Sequence, residues 1–345
     1  MSGEAAGTVV SVTVDASSER RGRLLGLKLR ALVRDHLADD TVAEPVAFPP
    51  GSALLHGDVA WVLLDEQPTR RLGAALAWST RAGADALHVI TESGSGVLAC
   101  RAAELTTPIS VWHADERSLL PAVPEPFLPQ PEVPAEHLRF TALIEAGGAE
   151  PLVEYGVLTG EVRGLEVCRV ADDPASGEPR LEVGIGAHDR EAFAIMHGNV
   201  PPVEALAGVV SKVVEHRRLD APPHPFNRLA RERLLRWELV REPSLIGASA
   251  LTPVAPPLPR TNVKDPVPCV AAGNGDDGEL VAVCSVGVDL DLIPFAADAR
   301  LMSEAAGGAH HGVRLVVVTP PRDQVKVTEQ LASLLRRPCE LAAHG

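Results

Sequence analysis

Glu166 and Glu182 lie sixteen residues apart, one on each side of the turn Asp172-Asp173-Pro174-Ala175-Ser176-Gly177. The flanking residues alternate enough to predict two paired strands, and on such a hairpin both carboxylates converge at one edge of the sheet. A second candidate is Thr91-Glu92-Ser93-Gly94-Ser95-Gly96, between an expected strand and an expected helix. Backbone amides at Gly94 and Gly96 would cradle a phosphate there, or the segment is an ordinary strand-to-helix turn. It lacks the third glycine of a dinucleotide fingerprint and the lysine of a P-loop. His224, Asn227, Arg228 and Arg231 surround a helix start after Pro222-Pro223, where the arginines would meet an anion or cap a solvated helix. His188, Asp189, Glu191 and His197 are metal-like in composition but lack the i, i+4 histidine pair of a helical zinc site, so Asp189 reads better as a helix cap. Asp289-Leu290-Asp291 closes a strand where α/β proteins often bind ligands, or caps the next helix.

The elements that must position these residues follow a repeating order. Ala-Glu-Pro followed by short strands occurs at 43–64 and 149–170, with a looser echo from Ser249 to Val286. Repetition at this scale points to one α/β unit used two or three times. The periodicities predict a strand over Val9 to Val14 and a helix capped at Ser17 or Ser18 that runs to Asp39. Two or three strands follow in 45–64, broken at Pro49-Pro50-Gly51 and His56-Gly57-Asp58, then helix 68–82, strand 87–91, helix 95–105 and strand 109–112. The C-terminal part repeats this order with a strand from Glu279 to Val288, helix 293–306, strand 313–318, helix 324–336 and strand 338–342. Between them, a helix at 136–147 leads to strands near 151–158 and 162–170, the hairpin, a strand from Arg180 to Ile185 and a helix from His188 or Asp189. The fold expected is α/β, as tandem diverged modules with internal duplication, each a mixed sheet flanked by helices. The boundaries are an N-terminal α/β module over 1–120, a stiff proline-rich linker over 121–134, a central module with the acidic hairpin over 135–220, and a C-terminal α/β module over 221–345.

Helix, strands with an acid on the second, a further acid on the third, helix and strand form a pattern that resembles the restriction-endonuclease-like (PD-(D/E)XK) superfamily. The resemblance is one of topology across the central module and is fainter across its neighbours. It implies that Glu166 and Glu182 hold Mg²⁺ while a bound water attacks a phosphodiester, since two hard oxygens on a rigid hairpin leave room for water and phosphate. The family's lysine helps position or activate that water. Its position holds Gly184, within Glu182-Val183-Gly184, so Lys212 or Arg190 would have to substitute, and Glu161 and His188 are further candidates for the metal shell. In the flanking copies Trp61-Val62-Leu63-Leu64 and Cys284-Ser285-Val286 stand where the motif belongs.

Composition bounds the rest. Hydrophobic residues make up 46% and charged residues 23%, the globular range. No apolar run reaches membrane-spanning length, and Glu4 with no basic start argues against a secretory signal, so the expectation is a cytoplasmic protein without a membrane partner. Five cysteines without C-x-x-C spacing disfavour a disulfide frame or a zinc cluster. A net charge of −14 opposes non-specific nucleic-acid binding by the whole chain, while 19–34 and 216–236 are locally basic and would supply backbone contacts or form solvated helix faces. Three functional readings follow: a Mg²⁺-dependent nuclease or degenerate nucleic-acid binder; a non-catalytic scaffold with a protein partner or a second copy; and a nucleotide or small-anion binder. Pairing of the two glutamates to arginines would favour the scaffold, and their convergence with a base in an open groove the nuclease.

Overall fold

The protein is described from a computed structural model covering residues 16–49, 51–125, 130–197, 200–218, 224–307 and 312–345. The expected strand at Val9 to Val14 lies outside the described residues. The chain divides into two compact units, Met1–Ala103 with Thr107–Glu125, and Glu104–Thr106 with Pro126–Gly345. Its class is α/β, with three sheets flanked by helices.

In the first unit, helix α1 (Ala16–Leu37) begins ahead of Ser17 and precedes strands β1 (Val46–Phe48), β2 (Gly51–His56) and β3 (Val59–Leu64). Helix α2 (Leu72–Arg81), β4 (Ala86–Thr91), α3 (Ser95–Ala103), β5 (Ile109–Asp115) and β6 (Ser118–Pro121) complete it. The six strands lie in sequence order. The first three form an antiparallel meander, β3, β4 and β5 are parallel, and β6 returns antiparallel. Gly51 is required at the first turn because a Cβ there would sit 1.9 Å from the Leu63 carbonyl oxygen. Leu29, Leu32 and Val33 of α1 pack on Leu54, Trp61 and Leu63. The alternate residues Ala53, Val62, Leu64 and Val89 are buried too, so β3 reads as a continuous apolar run, as expected of a strand covered on both faces.

The second unit opens with α4 (Ala135–Leu138) and α5 (Thr141–Ala146), followed by β7 (Glu150–Glu154), β8 (Val157–Val162), β9 (Leu165–Asp172) and β10 (Pro179–Val183). These four strands form an antiparallel sheet in the order β10-β9-β8-β7. The two strands expected over 151–170 are three, because Tyr155-Gly156 and Arg163-Gly164 are two-residue hairpin turns. All four residues have positive φ (53°, 73°, 48° and 73°), the conformation that matches strand twist. Helices α6 (Ala187–His197) and α7 (Pro202–His216) follow, then α8 (Pro225–Arg228) and α9 (Arg231–Arg241). Strands β11 (Ala248–Val254), β12 (Cys269–Gly275) and β13 (Gly278–Cys284) form a meander, continued in parallel by β14 (Arg314–Thr319) and β15 (Glu340–Ala343) through α10 (Leu292–Gly307) and α11 (Lys326–Ser333). Ile144, Leu206 and Val213 pack on Leu158, Val162, Leu165 and Val170 of the antiparallel sheet. Leu235 and Leu239 of α9 pack on Cys269, Ala271, Leu280 and Ala282 of the last sheet. Among the described residues no helix is long and apolar enough to cross a membrane, and none of the five cysteines is in a disulfide.

Candidate functional site

The antiparallel sheet has one apolar face and one charged face. Along β8, Leu158 and Val162 join the core, so alternation sends Glu161 to the opposite side. Simple alternation along β9 would set Glu166 and Arg169 on opposite sides. The register with β8 shifts between Gly160 and Glu161, and the resulting bulge puts both Val167 and Cys168 in the core. Glu166 and Arg169 therefore share the charged face, and Arg169 Nε donates to Glu166 Oε1 at 2.9 Å. In this register Glu182 faces Arg169 across the strands, and Glu166 faces Glu161.

Two like charges placed directly opposite would repel unless cations separate them. Glu166 has its own arginines, and helix α9 supplies two to Glu161. Arg233 and Arg236, one turn apart, each reach both Glu154 on β7 and Glu161 on β8, closing a four-membered ring of charge-assisted hydrogen bonds. Arg236 Nη1 donates to Glu154 Oε1 at 3.0 Å and its Nη2 to Glu161 Oε2 at 3.1 Å; Arg233 closes the other two contacts. Burial pushes the Glu161 carboxyl up, but Arg233 and then Arg236 outweigh it and hold the group below its ordinary value. Burial opposes charge on Arg233 as well, and the Glu161 and Glu154 carboxylates overcome it and raise its affinity for the proton. This ring fastens the antiparallel sheet to the helix that covers the last sheet.

Glu166 is held from both sides. Arg190, on the first turn of α6, donates to Oε1 at 3.1 Å, and Arg260, in the loop after β11, lies 3.6 Å from Oε2. Arg190 also approaches Glu182 Oε2 at 3.6 Å, while Arg180 donates to Glu182 Oε1 at 3.0 Å. The two carboxylates do come to one face, with Arg190 between them. A dication at Glu166 would have to displace guanidinium groups from both its oxygens, which does not suit Mg²⁺. Among the described residues no group of three or more His, Cys, Asp or Glu side chains is arranged to hold a metal ion.

Gly184, at the position of the motif lysine, explains why no side chain stands there. Its φ is +140°, and a Cβ would lie 2.8 Å from the Arg190 backbone nitrogen. The tight strand-to-helix junction excludes a lysine and brings Arg190 in its place. Lys212 is exposed on α7. Helix α6 starts at Ala187, so Asp189 lies within its first turn and not at the cap position; its side chain reaches back to accept from the Ile185 amide at 2.7 Å. His188 is exposed, and the side chain of His197 lies outside the described residues.

The two basic stretches differ: 19–34 lies on a largely exposed helix, whereas much of 216–236 is turned inward. Arg217, Arg233 and Arg236 are buried. Arg217 donates to the carbonyls of Arg163, Phe226, Leu229 and Ala230, gathering the β8–β9 turn and the start of α9; burial above all pushes its guanidinium down to about 10. On α1, Arg21 pairs with Asp65 and Glu66, Lys28 with Glu92 and Arg30 with Glu44. Arg228 is exposed at the end of α8 and Arg231 half-buried at the start of α9. At the other anion candidate, Gly94 has φ +66°, and the space beside Gly96 is filled by the Glu125 side chain, which a Cβ would meet at 2.4 Å. The Glu125 side chain thus packs against this segment, which favours its reading as an ordinary strand-to-helix turn. The ring and Arg260 escaped the sequence reading; the available signal was two arginines one turn apart beside Leu234, Leu235 and Leu239.

No protein-family model matches the chain, and no curated protein or solved structure was found to match it.

Proposed function

We propose that the chain is a non-catalytic α/β interaction protein, built of tandem diverged modules, in which the nuclease-like carboxylates serve as structural ion-pair partners. The observation that carries this reading is Arg190 seated between Glu166 and Glu182, where a nuclease would need a metal and its water. Kinship with restriction-endonuclease-like proteins is in this view a matter of descent, and the matching order of strands and helices in the first and last sheets supports an internal duplication. Its working partner is a protein or a second copy of the chain, in the cytoplasm. The acidic surplus and the pairing of the α1 cations with carboxylates argue against a nucleic-acid backbone as that partner.

The test is calorimetric titration of Mg²⁺ and Mn²⁺ into the wild-type chain and the Glu182→Ala variant. The expected result is no saturable heat with either protein. Saturable binding to wild type that disappears in the variant would restore the metal-dependent nuclease and sink the proposal.

A further inference from the structure

Charge of both signs is concentrated around Glu166. Arg169, Arg190 and Arg260 surround Glu166 and Glu182, while the neighbouring ring of Arg233, Arg236, Glu154 and Glu161 is internally neutral. Asp189 also acts on Arg190, and Arg180 pairs with both Glu182 and Asp173. Charges buried this densely are costly wherever a donor lacks its partner. The hydrogen-bond inventory points to the same place. Arg190 Nε and Arg260 Nη1 are buried without an acceptor among the described residues, on side chains each only 8% exposed. Arg190 Nε lies 3.6 Å from Glu182 Oε2, and the other terminal nitrogen of Arg260, Nη2, lies 3.6 Å from Glu166 Oε2, both beyond a direct hydrogen bond. Such gaps between buried donors mark a missing acceptor.

We infer that the buried guanidinium groups of Arg190 and Arg260, flanking Glu166, form a binding site for a small oxyanion of the phosphate or sulfate type. Guanidinium forks match paired oxygens bidentately, a geometry that a single round ion such as chloride uses poorly. Exposure rises from Arg190 and Arg260 to Glu182 at 25% and Arg169 at 36%, so the cluster reaches solvent on the β9–β10 side. Burial, then the neighbouring Arg169, lowers the affinity of Arg190 for its proton, and burial with Arg233 does the same to Arg260; an anion would relieve both. The loop that carries Arg260 packs at the start of α6, where Val263 lies 3.5 Å from the position of a Cβ on Gly186. Bound oxyanion would thus tie that loop to the β10–α6 junction. This inference is independent of the interaction-protein reading.

The experiment is titration of inorganic phosphate into the full chain by calorimetry at constant ionic strength in sodium chloride. Parallel titrations use glycerol phosphate as a phosphomonoester, and the unfolding midpoint is followed alongside. Wild type is expected to bind phosphate saturably, with a rising midpoint. Arg260→Gln is expected to bind about tenfold or more weakly, and Arg117→Gln, an exposed arginine of the first unit, to bind like wild type. If Arg260→Gln does not fold, Arg260→Lys replaces it: the charge stays, the fork goes, and weaker binding is again expected. Absence of saturable phosphate binding in wild type, or binding unchanged in the Arg260 variant, would overturn the inference. Phosphomonoester binding at least as tight as that of phosphate assigns the site to a phosphorylated ligand, and phosphate alone assigns it to the free ion.

Discussion

Glu161→Ala tests whether the arginine–glutamate ring holds the antiparallel sheet against α9. The substitution removes the contacts to Arg233 and Arg236 and leaves two guanidiniums, 6% and 1% exposed, with Glu154 as their remaining ring partner. Deleting one member of a buried ion pair costs about 3–5 kcal/mol, chiefly because the stranded charge stays desolvated. The loss should fall in that range, against the 0–1 kcal/mol or so of an exposed pair. Replacing all four members with apolar residues of similar volume should recover most of it, since the desolvation cost then vanishes for both signs. Urea unfolding of 5-fluorotryptophan-labelled protein by fluorine NMR isolates the relevant unit, because Trp237 on α9 is its sole tryptophan and donates to Glu150 at 2.9 Å. The pH dependence supplies a second readout. Glu161 is held below its ordinary value, so its contribution is complete above the unfolded carboxylate pKa and fades as pH falls through the lower folded value. The variant should lack that part of the acid limb. A loss under about 1 kcal/mol with an unchanged acid limb would refute the reasoning.

His88 gives the first unit an acid sensitivity of its own. Burial, and then His36, push its imidazole down to about 4 from 6.5, and its Nδ1 accepts a hydrogen bond from Trp112 Nε1 at 3.1 Å. The fold prefers the neutral ring, so this stability is full above pH 6.5 and is lost as pH falls through about 4. Tryptophan fluorescence should report unfolding that grows easier across that window, and His88→Gln should flatten the slope; an identical slope in the variant would count against it. Gly164→Ala should destabilise the second unit by about 2 kcal/mol or more, because Gly164 has φ +73° and a Cβ would meet the Arg233 carbonyl at 2.3 Å. A thermal midpoint within a degree or so of wild type would show that the β8–β9 turn does not press on α9.

Sequence alone determined most of the elements, and for local reasons. Alternation in Ser52–Leu64, the breaks at Pro49 and Gly57, and the apolar stripe of Leu25, Leu29, Leu32 and Val33 act within a few residues, so α1 to β5 and β13 to β15 stand close to where the sequence predicts them. It also placed both Glu166 and Glu182 on strands and Asp189 at a helix start. The turns Tyr155-Gly156 and Arg163-Gly164 were legible as well, had single glycines been read as two-residue hairpins. What the sequence did not hold was which charges meet. The bulge at Val167 decides the face of everything before it on β9, and a one-residue slip there exchanges core for surface. Arg233 and Arg236 lie 72 and 75 residues from Glu161, and Arg260 is farther still in sequence from Glu166. Ion-pair partners at such separations are chosen by the packing of α9 on two sheets, and no local pattern distinguishes an arginine that will be buried there from one that faces water. That tertiary choice set arginines beside both candidate metal ligands.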